Sequence, residues 1–366
     1  MRFSVCSVPR RVLVIRLQNH GDVLLTTPVF SALKRHFPGV EVDAMVFAET
    51  LPMLAANPDL TNVWALPRGQ QAGRGMRRLR VLFDLLRQIR RRRYDWVLHL
   101  NDQWPGAVAA LLSGAAQRFG YAMPKRDYWL WRKIFPLRIE PTANGHMVEQ
   151  NMRVLQALEV PVDAEDMHCT MAFSPEDAAL SRQKLAAAGV AGSYVLIHPT
   201  SRWFFKCWED ERFAEVIGAL AAAGRQVVLT SAPDPREVDL VNGLLQRVGN
   251  PDVVSLAGQL TLPALAATIA GASLFVGVDS VPMHMAAALE VPIVALFGPS
   301  HVHIWRPWSE RAEVIHAADY GPLIEPNDVD TATHERYLAN IPVQPVLEAI
   351  WRQLERFPDT RSEHAA

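Results

Sequence analysis

Three stretches of this chain gather acids, imidazoles, hydroxyls and cations where a strand-like run gives way to a helical one. Asn19-His20-Gly21-Asp22 follows the apolar, branched run Val12 to Leu17. Gly21 lets the backbone turn tightly there. Asp22 lies near the amino end of the next helical pattern, where an aspartate can serve as a helix cap or, beside a bound hydroxyl, as a general base. The second stretch runs from His198 to Trp208 and presents Thr200, Ser201, Arg202 and Lys206 ahead of a helix expected to begin near Trp208 and Glu209. Such a loop can bind diphosphate oxygens through side chains and freed amides, or it can be a solvated loop anchored by its aromatics. In the third, Gly277-Val278-Asp279-Ser280-Val281-Pro282-Met283-His284, a helix amino terminus offers amides and a positive dipole end to an anion. Asp279 is placed to orient a sugar, and His284 is equally a structural histidine or a ligand contact. Gly298-Pro299-Ser300 adds another loop at the same edge, and loops gathered at one edge read together as a nucleotide pocket.

The elements that must hold these residues alternate. Strand-like runs recur at Glu41 to Phe47, Trp96 to Leu100, Tyr194 to His198, Gln226 to Thr230, Asp252 to Leu256, Leu274 to Val278 and Ile293 to Phe297, with helical stretches between. Short runs rich in branched residues are expected of parallel strands buried on both faces, so the pattern predicts α/β architecture with parallel sheets. From Val23 to His36 the period turns helical, with Pro28 tolerated near its start or marking a late entry. Prolines, acidic clusters and an Ala-rich helix between Glu159 and Ser193 suggest a hinge, which places one Rossmann-like domain at 1–168 and a second at 176–332. A last helix over Glu335 to Arg356, within a segment 333–360, is expected to cross back onto the first domain.

The net charge of −1 on 366 residues conceals an asymmetry. Residues 1–170 carry 23 Lys and Arg against 15 acids, while the remainder carries 14 against 23. A basic amino-terminal half suits an anionic partner, with nucleic acid, anionic lipid and a phosphorylated glycolipid as candidates, although two packed domains of opposite charge would show the same count. Arg68 to Arg93 holds ten arginines against one acid, Asp84, with Leu79, Leu82, Phe83, Leu86 and Ile89 at helical spacing. This is either a basic amphipathic helix for lipid or phosphate, or a solvated run over a core-facing stripe. Lys125 to Lys133 interleaves Tyr128, Trp129 and Trp131 with positive charge, suiting a membrane interface or a sugar-phosphate surface. No nucleic-acid motif accompanies either stretch, and neither GxGxxG nor GxxxxGK[ST] occurs after a leading strand. Asp328-Val329-Asp330 has the form of a metal-binding DxD but stands far from the pocket segments, and His301 with His303 lacks a third ligand for zinc. Three widely spaced cysteines and no apolar run near the ~20 residues of a membrane span lead us to expect a reducing, cytoplasmic setting.

Arg16 to Pro28 closely resembles the start of the ADP-heptose:lipopolysaccharide heptosyltransferases, glycosyltransferase family nine. The loop ending in Lys206, the segment Asp279 to His284 and Phe297-Gly298-Pro299-Ser300 resemble the family's donor motifs in the same order. His20-Gly21-Asp22, the Asn57-Pro58 region, Asn101-Asp102-Gln103-Trp104, His146 to Asn151 and Arg202-Trp203 look most like the members that add the third, branch heptose. The resemblance implies a GT-B fold, two Rossmann-like domains facing a central cleft. It implies inverting, metal-independent transfer of L-glycero-D-manno-heptose from ADP-heptose to a heptose of a phosphorylated lipopolysaccharide inner core, with no cofactor. In this reading Asp22 is the catalytic base. Thr200, Ser201, Lys206, Glu237, Asp279, Ser280 and His284 meet the donor, with Asp234 an alternative to Glu237, and His20, Trp104, Lys125 and Arg126 meet the acceptor. Ser280 and Pro282 depart from the family pattern, which favours a backbone role at that turn. Peripheral contact with the inner leaflet of the inner membrane is expected, and nucleic acid is not. The alternatives are a GT-B enzyme using another nucleotide sugar, and a non-catalytic basic protein that binds lipid or nucleic acid.

Overall fold

The computed structural model describes residues 8–68, 76–126, 128–141 and 144–358, apart from the side chains of Arg77 and Arg78. Cys6, Arg74 and Asp127 of the segments considered above, and residues 359–360 of the expected last segment, lie outside this range. The chain divides into two compact units at 172/173.

The first unit carries strands β1 (Arg11–Ile15), β2 (Glu41–Phe47), β3 (Asn62–Leu66), β4 (Trp96–His99), β5 (Gln117–Tyr121) and β6 (Leu137–Ile139). All pair in parallel in the order β3-β2-β1-β4-β5-β6. Val12, Leu13, Val14 and Ile15 are all buried because helices cover both faces of the sheet. On one face Leu13, Ile15 and Leu17 pack with Ile89, Ala107, Ala110, Trp131 and Ile134 from three helices, Met76–Arg92, Trp104–Ser113 and Trp129–Ile134. The helical pattern after β1 is broken into His20–Leu24 and Thr27–His36, so Pro28 marks the late entry at the start of a second helix.

The second unit repeats the plan with β7 (Tyr194–His198), β8 (Gln226–Leu229), β9 (Val253–Ser255), β10 (Leu274–Val278), β11 (Ile293–Phe297) and β12 (Ala312–His316), ordered β12-β11-β10-β7-β8-β9 and parallel throughout. The last helix starts at Val343, after Pro342, and not at Glu335. Its apolar face, Val346, Ala349 and Ile350, joins the core built on β7, β10 and β11, with Ile341 and Leu338 just before it. This amphipathic stripe packs within the second unit.

In both units the order of strands reverses on either side of the first strand, between β1 and β4 and between β7 and β10. Open parallel sheets bind their ligands at this switch point, beyond the carboxyl ends of the strands. The motif loops fall there.

Candidate active site

In the first unit, the residue after β1 is Arg16, which is 6% exposed. Its Nη2 donates to Asp22 Oδ1 at 2.8 Å and approaches Met147 Sδ at 3.5 Å, and its Nη1 donates to the Leu100 carbonyl beyond β4. Asn19 occupies the N-cap of helix His20–Leu24 without a side-chain bond, and Asp22 sits inside the first turn. Asp22 is therefore not the helix cap. It is a carboxylate held by a buried guanidinium across the switch point, and Oδ2 has no partner among the described residues. Asn101 fastens the same edge by donating from Nδ2 to the Leu17 carbonyl at 2.8 Å, and its buried Oδ1 has no partner among the described residues.

The other first-unit candidates lie at this carboxyl edge, on loops after β1, β4 and β5. His20 Nε2 is 2.8 Å from the Glu49 carbonyl, so that nitrogen carries the proton. Trp104 opens its helix, stacked on Tyr128 at 6.0 Å and edge-on to Trp131 at 5.6 Å. Arg126 Nε donates to the Asp102 carbonyl at 3.1 Å, while Lys125 is exposed on the turn Pro124–Arg126. The His146 to Asn151 segment has a structural task. His146 forms a capping box with Glu149, and Asn151 Nδ2 donates to the Leu25 carbonyl at 2.8 Å, bracing the turn that carries Asp22. Behind the edge, His99 is fully buried, stacked on Phe135 at 4.9 Å, and burial holds its imidazole down to about 3.

In the second unit the loops after β7, β8, β10 and β11 are joined by side chains. Lys206, on the turn Phe204–Lys206, donates from Nζ to Asp279 Oδ2 at 2.5 Å, and Ser300 Oγ donates to the same oxygen at 2.6 Å. Ser201 Oγ lies 3.5 Å from the Asp279 carbonyl. Thr200 Oγ donates to Glu237 Oε2 at 2.6 Å, and the Ala232 amide approaches that oxygen at 3.3 Å. Glu237 is 4% exposed, whereas Asp234 is the more open N-cap of helix Pro235–Val248. His198 is buried with Nδ1 2.9 Å from Thr230 Oγ1, and burial lowers it to about 3, so it is neutral near pH 7.

Ser280 is the N-cap of helix Val281–Ala288, yet its Oγ makes no cap bond and is buried without a partner among the described residues. Pro282 removes one amide from the first turn, so the dipole and the remaining amides are what this turn offers an anion. His284 is buried one turn further on. Trp208, expected at the start of the following helix, instead anchors the core through Nε1 to the Ile341 carbonyl at 3.1 Å, and that helix begins at Asp210. Asp328 ends the short turn Pro326–Asp328, and among the described residues no three His, Cys, Asp or Glu are grouped as metal ligands.

Two parallel six-stranded sheets of Rossmann order, each with polar loops at its switch point, are those of the GT-B architecture. Residues 82–334 match glycosyltransferase family 9 (heptosyltransferase). The chain is 37% identical over 331 residues to lipopolysaccharide heptosyltransferase 3 of Escherichia coli, covering 90% of this chain and 95% of that one. A glycosyl transferase family 9 structure from Veillonella parvula superposes with a TM-score of 0.81 at 21% identity, covering 95% of this chain and 97% of its own. That of E. coli ADP-heptose lps heptosyltransferase II gives 0.71 at 22%, covering 94% and 99%. At these identities the two structures establish the fold. The chain belongs to glycosyltransferase family 9, the heptosyltransferases.

Proposed function

We propose that the protein transfers L-glycero-D-manno-heptose from ADP-heptose to a heptose of the phosphorylated lipopolysaccharide inner core, adding the third, branch heptose with inversion. The observation that carries this reading is the 37% identity, over nine-tenths of the chain, to a lipopolysaccharide heptosyltransferase 3, with Asp22, Lys206 and Asp279 all at switch-point loops. His20, Trp104, Lys125 and Arg126 line the acceptor edge, where an aromatic face and two cations suit a phosphorylated sugar.

The acceptor hydroxyl attacks the anomeric carbon and its proton passes to Asp22 Oδ2, while Arg16 keeps Oδ1 occupied and the carboxylate turned toward the edge. The bond from that carbon to the diphosphate oxygen breaks on the opposite side, releasing ADP. Lys206 has donors left after its bond to Asp279, and these, with the amides at the start of Val281–Ala288, meet the charge on the leaving diphosphate. The proposal includes no metal ion and no cofactor. Glu237, buried and fixed by Thr200, is our choice over Asp234 for the ribose hydroxyls, because its position is set by the fold and Asp234 is committed to capping.

A panel of nucleotide sugars tests the donor: ADP-heptose should release ADP in an acceptor-dependent manner, unaffected by a chelator. Turnover with a UDP- or GDP-sugar in place of ADP-heptose would overturn the donor assignment, and loss of turnover on chelation would overturn metal independence.

A further inference from the structure

We infer that the outward faces of the helices Met76–Arg92, Trp104–Ser113 and Trp129–Ile134 together form a docking surface for an anionic lipid bilayer. All three helices send their inner faces into one core, Leu85 and Ile89 from the first, Ala107 and Ala110 from the second, Trp131 and Ile134 from the third. Their outer faces therefore lie on one side of the unit. The first two meet closely at Gly114, the left-handed cap of the second helix, where the Arg90 guanidinium occupies the space a side chain would take.

That side is not the solvated face that the arginine run alone suggests. Only Leu85 and Ile89 of the first helix reach the core fully, while Leu79 is 66% exposed and Phe83 65%. Leu111 and Leu112 of the second helix are 43% and 47% exposed, and Trp129 of the third 72%. Exposed apolar residues scattered singly are ordinary, but large ones gathered on three adjoining helices mark an interaction surface. The partner's chemistry follows from charge. The three helices carry nine Lys and Arg against the single acid Asp84, and Arg80, Arg87, Arg91 and Lys133 are exposed among the apolar side chains. Arg92 of the first helix is withdrawn, its Nε and Nη2 bound to buried Asp43 at 2.9 and 3.0 Å. A second copy of the same face would set cations against cations, whereas an anionic bilayer accepts both the charge and the apolar tips, with tryptophan at the headgroup level.

The test is co-sedimentation of the full chain with vesicles, free of donor and acceptor so that the result is independent of the proposed transfer reaction. The lipids are phosphatidylethanolamine with phosphatidylglycerol, against phosphatidylcholine alone. Binding to the anionic vesicles should be at least about tenfold tighter and should weaken sharply between about 0.1 M and 1 M salt, as the screening length falls from ~10 Å to ~3 Å. Leu79→Ser with Phe83→Ser, and separately Arg87→Glu with Lys133→Glu, should each weaken it about tenfold or more while melting curves stay unchanged. Absence of binding to anionic vesicles, or equal binding by the wild type and both folded variants, would overturn the inference. So would a dimer that only the serine variant dissolves while vesicle binding persists, because that result assigns the face to a second copy.

Discussion

Replacing Asp22 with asparagine separates what the carboxylate does in the reaction from what it does for the fold. Arg16 and Asp22 are 7% and 14% exposed at their side chains and meet at 2.8 Å, so the pair is largely out of solvent. Asparagine keeps the shape and still accepts from Arg16 Nη2, so a charge-assisted bond of about 1.5–3 kcal/mol becomes a neutral one of about 0.5–1.5. The expected loss of stability is about 1–2 kcal/mol, small enough for the protein to remain folded. Alanine would instead leave the guanidinium with only the Leu100 carbonyl and Met147, and the cost rises toward the roughly 3–5 kcal/mol of a broken buried pair. Loss of a general base costs about 10²- to 10⁴-fold in rate, or about 3–5 kcal/mol of barrier. Steady-state turnover with ADP-heptose, urea unfolding, and calorimetry with ADP read the three quantities. Asp22→Asn should lower kcat by that factor with ADP affinity within about twofold of wild type. A folded variant with turnover within about fivefold of wild type would refute the role as base and leave Asp22 as the partner of Arg16.

The other expectations follow from single contacts. Lys206→Ala should weaken ADP binding by about ten- to a hundredfold in calorimetry, the worth of a charge-assisted bond, and unchanged affinity would remove Lys206 from the diphosphate. Thr200→Val is nearly isosteric but takes the 2.6 Å donor from buried Glu237, so it should cost about 1–3 kcal/mol in chemical unfolding. Gly106→Ala would set a Cβ 2.4 Å from His99 Nε2 and 2.9 Å from Ile15 Cγ2, and overpacking of this kind should cost about 1–3 kcal/mol in the same assay. His99 and His198 are both held down to about 3 by burial, against about 6.5 unfolded. The unfolded chain thus binds more protons between those values, so stability is full above about pH 6.5 and falls as the pH drops toward 3, by about 1.4 kcal/mol per pH unit for each histidine. Urea midpoints at pH 7 and pH 5 should show that slope, and Asn substitutions at both histidines should flatten it.

The parallel cores were legible because β1, β7, β10 and β11 are buried on both faces and read as nearly unbroken apolar runs, as β2 does apart from Glu41 and the buried Asp43. The strands that escape such reading are β3, β5, β6 and β12, where Asn62, Gln117, Arg118, Arg138 and Glu313 interrupt half-buried segments. Asp22, Lys206 and Asp279 stand out by residue type and by position at strand ends. Their partnerships do not, because Lys206 and Asp279 are 73 residues apart and Arg16 reaches Leu100 and Met147 across 84 and 131. An arginine closing a hydrophobic strand has no local mark of function, so Arg16, the residue that holds Asp22, emerges only from the three-dimensional pairing of β1 with β4. Ser300 was visible as part of a loop, but its bond to Asp279 depends on β10 lying beside β11. The arginine run shows the converse failure: helical spacing puts Leu79 and Phe83 on the core side, yet the helix meets the core through Leu82, Leu85, Leu86 and Ile89, and both Leu79 and Phe83 are exposed.

Mass spectrometry of a purified di-heptosylated inner-core acceptor, incubated with ADP-heptose and the protein, tests heptosyl transfer most directly. The account predicts a gain of one heptose on the acceptor, matched by release of one ADP. Hydrolysis of ADP-heptose with no gain on this acceptor, or on any other inner-core heptose, would contradict it.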